Sequence, residues 1–377
     1  METPNHDTLL YNVALSLIPK IGPGIYKNII SYSGSARHFF SMTKGKIQKI
    51  PGLGPKLSEF LHSKDTYLKE ASRIIEEAHR NGVKVVCYLD KDFPQRLKSF
   101  SDAPVILFTR GEVDLNPART IGIVGTRNST AYGKAVAAKI VEDLADYKPT
   151  IISGLAYGID IEAHRAALQA NLPTLGILGT PINKVYPAHH IQIAQNMMKS
   201  GGLVSEYRIG SALNPSNFPQ RNRIIAGLSD ALIVVEAAKK GGALITAEIA
   251  YSYNKEVFAV PGNLQSSYSE GCNNLIRTMK AGIYMGPKEI EEALSWDKAG
   301  TEHITKSVSM DWDQFDELEK SILQMLVQER ELEIDQISWK TNIPLSTLAS
   351  KLLNLEFQGF LKVLPGKKFQ LVTSSKK

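Results

Sequence analysis

The sequence predicts an α/β fold: a mostly parallel sheet covered on both faces, preceded by a helical domain and followed by a winged helix. Three observations carry this expectation. Between residues 83 and 295, short Val- and Ile-rich runs such as TIGIVGTR, PTIISG, DALIVVEAA and EVFAVPGN alternate with helical patterns such as AYGKAVAAKIVEDLADY. Continuous apolar strands punctuated by helices are the pattern of a buried parallel sheet. Residues 1–82 keep a helical period and contain glycine pairs, and residues 315–377, beyond a polar linker at 296–314, read as three helices and a hairpin.

Composition bounds the function. The 377 residues are 43% hydrophobic and 22% charged, as in ordinary globular proteins. A net charge of +6 and a pI near 9.0 favour a polyanionic partner. Cys87 and Cys272 give no framework for disulfides or zinc, so a reducing compartment fits. METPNHDTLL lacks the blocks of a signal peptide, and no apolar run approaches the roughly 18 residues of a membrane span, so a cytoplasmic protein is expected.

The helical domain contains an echo: LIPKIGPGIYKNII at 17–30 and KIPGLGPKLSEFL at 49–61. A Gly-x-Gly turn ahead of a helix exposes amide N–H groups where the helix dipole favours a phosphate. The pair resembles tandem helix-hairpin-helix motifs, surrounded by Lys20, Lys27, Lys46, Lys49 and Lys56; plain helix connectors are the alternative. Residues 66–81 continue as an amphipathic helix into the sheet domain.

In a parallel α/β sheet, ligands bind outside the carboxyl ends of the strands. The polar and glycine-rich segments GTRNS, SGLAYGID, GTPINKVYP, SEY, EAAKKGG and VPGN fall at those ends, and one crevice should gather them. The first has the position of a dinucleotide fingerprint but not its glycines; Gly125, Thr126, Arg127, Asn128 and Ser129 form the turn. A nicotinamide cofactor is therefore not expected, whereas the helix-start amides with Arg127 are expected to bind phosphate. The second supplies Ser153, Gly154, Tyr157 and Gly158, glycines there letting a polymer backbone pass close. Asp160 and His164 follow on one helix face and read as a cap and a packed histidine rather than as a hydrolytic pair.

The stretch NFPQRNR, residues 217–223, places Phe218, Arg221, Asn222 and Arg223 at a helix mouth. Arginines there oppose the helix dipole unless an anion lies between them. Phe218 adds a face for nucleobase stacking, and aromatic plus cation is the chemistry of single-strand binding. The structural alternative pairs Arg221 with Glu206 or Glu236 and has Phe218 anchor the loop. Gly241 and Gly242, ahead of Thr246, form a further anion cradle. That piece also resembles the loop of lysine-decarboxylase-like nucleotide hydrolases, with Glu248 at the glutamate position but without the proline. In the C-terminal unit, the candidate recognition helix 345–357 offers only Lys351 as a cation, so a winged helix that binds protein or packs is expected ahead of one that reads duplex DNA.

Taken together, GTRNSTAYG, SGLAYGIDIEAH, LGTPINKVYP, GLVSEY, FPQRNRIIAGLSDALIVVEA, GGALITAEIA and VFAVPGN resemble the DNA-processing protein A (DprA/Smf) family in the family's order over residues 120–282. The resemblance implies an extended Rossmann-like domain over 83–295, between a helix-hairpin-helix domain over 1–82 and a winged helix. It implies no catalysis, cofactor or metal. It also implies single-stranded DNA as ligand, a RecA-type recombinase and a single-strand binding protein as partners, a homodimer, and a role in natural transformation. By position, Arg127 matches the family's principal phosphate-binding arginine, and Phe218, Arg221, Asn222 and Arg223 match its F-P-x-R-N-R stretch. Ala243 stands where members commonly carry serine, and GCNNLIRTMKAG departs from the usual ending. The competing reading is a nucleotide phosphoribohydrolase using Arg127, Gly241, Gly242 and Glu248.

Overall fold

The structure is a computed structural model that describes residues 6–53, 63–297, 312–329, 331–341, 343–364 and 368–371. The chain divides into two compact units, residues 1–296 and 297–377. Among the described residues, five helices open the first unit: α1 (His6–Ser16), α2 (Pro23–Ser33), α3 (Ala36–Ser41), α4 (Lys44–Ile47) and α5 (Lys64–Arg80). The first Gly-x-Gly spans the start of α2, with Gly22 at its N-cap and Gly24 in its first turn; the second falls outside the described residues from position 54 onward. In α5, Ala71, Ile74, Ile75 and Ala78 repeat at helical spacing and are buried, which docks the helix on the core shared with α1 to α3. Lys27 turns inward: its ammonium donates to Phe100 O at 2.5 Å and lies 4.9 Å from the Tyr88 ring. That lysine is therefore not available to an external phosphate.

Nine strands follow: β1 (Lys84–Cys87), β2 (Ile106–Gly111), β3 (Thr120–Gly125), β4 (Thr150–Ser153), β5 (Thr174–Leu178), β6 (Gly202–Ser205), β7 (Ala231–Val235), β8 (Glu256–Ala259) and β9 (Gly282–Ile283). They form one sheet in the order β1-β2-β6-β5-β4-β3-β7-β8-β9. Strands β6 to β9 and those between them pair in parallel, whereas β1 and β2 run antiparallel at one edge. The short edge strand β9 has no counterpart in the sequence reading, because two residues are too few to show a period.

Helices cover both faces. After the four-residue α6 (Gln95–Lys98), α7 (Ala131–Leu144) and α8 (Ile159–Gln169) bury Ala137, Ile140, Val141, Ile159, Ala163 and Ala167 against β3, β4 and β7. Beyond α9 (Ile191–Met197), α10 (Asn217–Leu228) and α11 (Gly242–Ser252) bury Ile224, Ile225, Leu228, Ala247 and Ala250 on the opposite face. The helices α12 (Glu270–Arg277) and α13 (Pro287–Leu294) complete the two layers. The chain runs from β3 outward to β6, then returns to place β7 on the other side of β3. Loops leaving β3 and β7 therefore diverge, and a crevice opens at their carboxyl ends.

The second unit holds α14 (Glu317–Glu329), β10 (Glu331–Glu333), α15 (Ile334–Thr341), α16 (Leu345–Phe357), β11 (Leu361–Leu364) and β12 (Lys368–Leu371). The hairpin gains a third strand, in the order β10-β12-β11. Lys351, the cation of α16, is bound by Asp316 and by Glu319 at 3.0 Å. Its charge is thus satisfied within the unit.

Candidate nucleic-acid interface

The crevice at the β3/β7 divergence has a volume of about 1230 Å3 and is lined by the β3–α7 loop, α10 and the start of α11. Gly125 ends β3 where a Cβ would lie 2.0 Å from Val235 O, so this glycine is required by strand packing. Thr126 donates its amide to Glu236 O at 2.7 Å and accepts at its hydroxyl from the Asn128 amide at 3.2 Å.

The first helix N-terminus is already closed. The buried Glu236 carboxylate accepts from the Thr130 amide at 2.9 Å and from the Thr130 hydroxyl, and that hydroxyl accepts from the Gly133 amide at 3.1 Å. Glu236 adopts the left-handed region, φ 53°, which costs a non-glycine residue on the order of 1 kcal/mol. The expectation that the α7 amides bind phosphate is therefore corrected: an internal anion holds that place. Arg127 projects beside it, exposed, and its side chain has no hydrogen bond or ion pair among the described residues.

The β4–α8 loop is packed on its own chain. Ser153, wholly buried, donates to Ile123 O at 2.6 Å. A Cβ on Gly154 would meet the Arg221 guanidinium at 2.6 Å, and one on Gly158, φ 79°, would meet Thr126 O at 2.1 Å. These glycines let protein approach protein, which corrects the reading that they admit a polymer. Tyr157 alone of this group is exposed.

Asp160 and His164 have separate partners. Burial raises the Asp160 pKa against the opposing pull of Arg221, and its carboxylate accepts from the Gly154 amide at 3.2 Å. The His164 Nδ1 lies 2.7 Å from Thr174 Oγ1. That hydroxyl donates to Ile151 O, so Nδ1 is the donor, and Nε2 has no partner among the described residues. Burial, reinforced by His190 and Arg221, lowers the His164 pKa to about 3. The imidazole is a neutral core group.

On α10 the two arginines differ. Arg221 is buried and donates to Gly154 O at 2.7 Å, to Ile177 O and to Asn222 Oδ1 at 3.2 Å. Burial pushes its pKa down to about 10, with Asp160 opposing and Arg127 adding to the fall. It stays charged at neutral pH, a fixed cation beneath the crevice that joins the ends of β4 and β5. Arg223 forms a two-pronged pair with Glu206 at 2.8 and 2.9 Å and donates to Asp102 O at 2.9 Å. Glu206 thus pairs with Arg223, not with Arg221 as the structural alternative had it. Asn222 donates to Gly242 O at 3.2 Å and ties α10 to α11. Phe218, half-buried, packs over Gly179 and lies 5.7 Å from the Tyr186 ring.

The start of α11 is the open one. A Cβ on Gly241 would meet nothing within 4 Å, and one on Gly242 only Asn222 Nδ2 at 3.9 Å. Among the described residues no side chain caps this helix, and its first turn holds no acid. Thr246 is buried, and its hydroxyl donates to Gly242 O at 3.1 Å, inside its own helix. Lys239 and Lys240 precede the glycines and are exposed, Lys239 reaching Glu270 at 3.5 Å. Both lysines were missed in the sequence, although they follow the apolar strand β7 by three residues and directly precede a glycine pair. The rim is strongly asymmetric in charge: segments 126–141, 179–190, 207–223 and 237–247 contain no Asp or Glu. Glu248, on the crevice wall, is held by Lys280 at 2.7 and 2.8 Å.

A sequence profile described as DNA recombination-mediator protein A matches residues 84–295, and one described as DprA winged helix domain matches residues 313–367. The chain is 35% identical to DNA processing protein DprA of Bacillus subtilis over 67% of this chain and 85% of that protein. It is 29% identical to Protein Smf of Synechocystis sp. over 96% of this chain and 98% of that one. Among solved structures, DNA processing protein A of Streptococcus pneumoniae superposes with a TM-score of 0.65 at 27% identity, covering 79% of this chain and all, 100%, of that one. DNA processing protein A of Helicobacter pylori, described with its single-stranded DNA binding mode, gives 0.52 at 26% identity over 57% of this chain and 97% of that one.

Proposed function

This chain belongs to the DNA recombination-mediator protein A family, and on that premise we propose that it binds single-stranded DNA in the crevice between β3 and β7 and hands it to a RecA-type recombinase. The observation that carries the reading is the contrast between two helix starts. The N-terminus of α7 is filled by Glu236, whereas that of α11 is uncapped, flanked by open glycines and preceded by Lys239 and Lys240. With Arg127 exposed opposite and Arg221 fixed below, phosphates meet amide dipoles and cations, while the two lining carboxylates, Asp160 and Glu248, are offset by Arg221 and Lys280. Phe218 supplies a ring face for a base.

Arg127, Gly241 and Gly242 are assigned to phosphate contact, and Phe218 to a base. Gly125, Thr126, Asn128, Ser153, Gly154, Gly158, Arg221, Asn222, Arg223 and Thr246 shape and hold the crevice. A homodimer and contact with a single-strand binding protein complete the reading, on family resemblance alone. The hydrolase alternative is not favoured: its glutamate, Glu248, is engaged by Lys280. The test is fluorescence anisotropy with oligothymidylate at two salt concentrations. Arg127→Ala is expected to weaken binding for every base sequence and to reduce the magnitude of the salt slope by about 1; an unchanged affinity and slope would count against the assignment.

A further inference from the structure

We propose that the DNA track continues beyond the crevice: Tyr186 and Tyr157, with His189 beside them, form a nucleobase-stacking ledge leading from Phe218 over the carboxyl ends of β5 and β4. This rests on the crevice reading above. Single exposed aromatics are common on protein surfaces and need no explanation. Here two tyrosines stay open side by side with the crevice, Tyr186 at 53% exposure and Tyr157 at 44%. Tyr186 lines the crevice wall next to Phe218, and Tyr157 directly follows Ala156, another lining residue.

Each ring is braced rather than loose. Tyr157 meets the buried His190 edge-to-face at 5.1 Å and 72°, and its hydroxyl lies 3.3 Å from His189 Nδ1. His190 is itself fixed, its Nδ1 lying 2.9 Å from Leu155 O. Tyr186 and Phe218 are 5.7 Å apart and inclined by 53°. A base sandwiched between two rings needs twice the base spacing of roughly 3.4 Å, so this pair is too close and too tilted to admit one. Each ring is therefore left to take its own base on an exposed face. The chemistry around the ledge matches: the loop 179–190 has no carboxylate and carries Lys184, exposed, for the backbone. Aromatic faces alternating with cations, without donors aimed at base edges, recognise single-stranded nucleic acid regardless of sequence.

The test compares oligothymidylates of roughly 6 and roughly 16 nucleotides, within the range of single-strand site sizes, on the full chain. Lengthening the strand is expected to tighten binding by the wild type. In Tyr157→Ala/Tyr186→Ala that gain should shrink roughly 5-fold or more, and Tyr157→Phe/Tyr186→Phe should retain it, since stacking needs the ring and not the hydroxyl. Iododeoxyuridine placed beyond the first bases should photo-crosslink to Tyr157 and Tyr186. A length gain that persists intact in the alanine pair, or crosslinks that fall elsewhere, overturns the ledge. If the wild type binds neither length, the crevice reading itself fails, which is a distinguishable result.

Discussion

Glu236 and Thr130 are joined twice, the carboxylate accepting from the backbone amide at 2.9 Å and from the hydroxyl of the same residue. A side chain at the end of β7 thus serves as the anion at the N-terminus of α7, in the place where related sheets hold a pyrophosphate. Removing it leaves the half-buried donors of Thr130 without a partner. Glu236→Ala is expected to cost about 1–3 kcal/mol of stability in urea unfolding, with no free phosphate restoring it at millimolar level.

The arginines of the rim separate by role. Arg223→Ala leaves Glu206 and Asp102 O without their donor, and should lower stability by about 1–3 kcal/mol while the salt slope of DNA binding stays the same. Arg127→Ala should do the reverse, weakening binding with no shift of the unfolding midpoint. Chemical denaturation and anisotropy on both variants decide this; identical profiles for the two contradict it.

Glycine substitutions make the same separation. Gly242→Ala meets open space and gains helix propensity of up to about 1 kcal/mol, so the fold should be retained or strengthened. Its oligonucleotide affinity should fall by roughly 5-fold, about 1 kcal/mol, because the added methyl stands where a phosphate approaches. Gly158→Ala, with φ 79° and Thr126 O 2.1 Å from the new atom, should unfold the domain instead. Melting curves with titrations on each variant check both statements.

His164 sets a pH dependence. Its pKa is about 3 in the fold and near 6.5 when unfolded. Between those values the unfolded chain holds one more proton, so stability rises with pH there and is lost as pH falls from about 6.5 toward 3. The slope from this one group is about 1.4 kcal/mol per pH unit. His164→Gln should flatten the fall in unfolding free energy between pH 6 and 5 by about that amount; an unchanged slope contradicts it.

Much of the fold was legible because long apolar runs and helical periods are local. TIGIVG and ALIVV sit in β3 and β7 as expected, and the glycine loops gather at their carboxyl ends. What the sequence hid was which partner each polar residue takes. Arg221 and Arg223 stand two residues apart in one motif, yet one is sunk among the carbonyls of β4 and β5 and the other is neutralised by Glu206. Nothing local distinguishes them, since α10 turns by about 100° per residue and the partners lie tens of residues away. The same holds for Glu236, whose role depends on Thr130, 106 positions earlier. Gly154 and Gly158 looked like ligand glycines because close approach reads alike whether the neighbour is protein or DNA.

The most direct test is a crystal structure of the full chain with oligothymidylate. Phosphates are expected within hydrogen-bonding distance of Arg127 and of the amides at Gly241 and Gly242, with Glu236 still closing α7. A strand that leaves this crevice empty, or a phosphate that displaces Glu236 from Thr130, would contradict it.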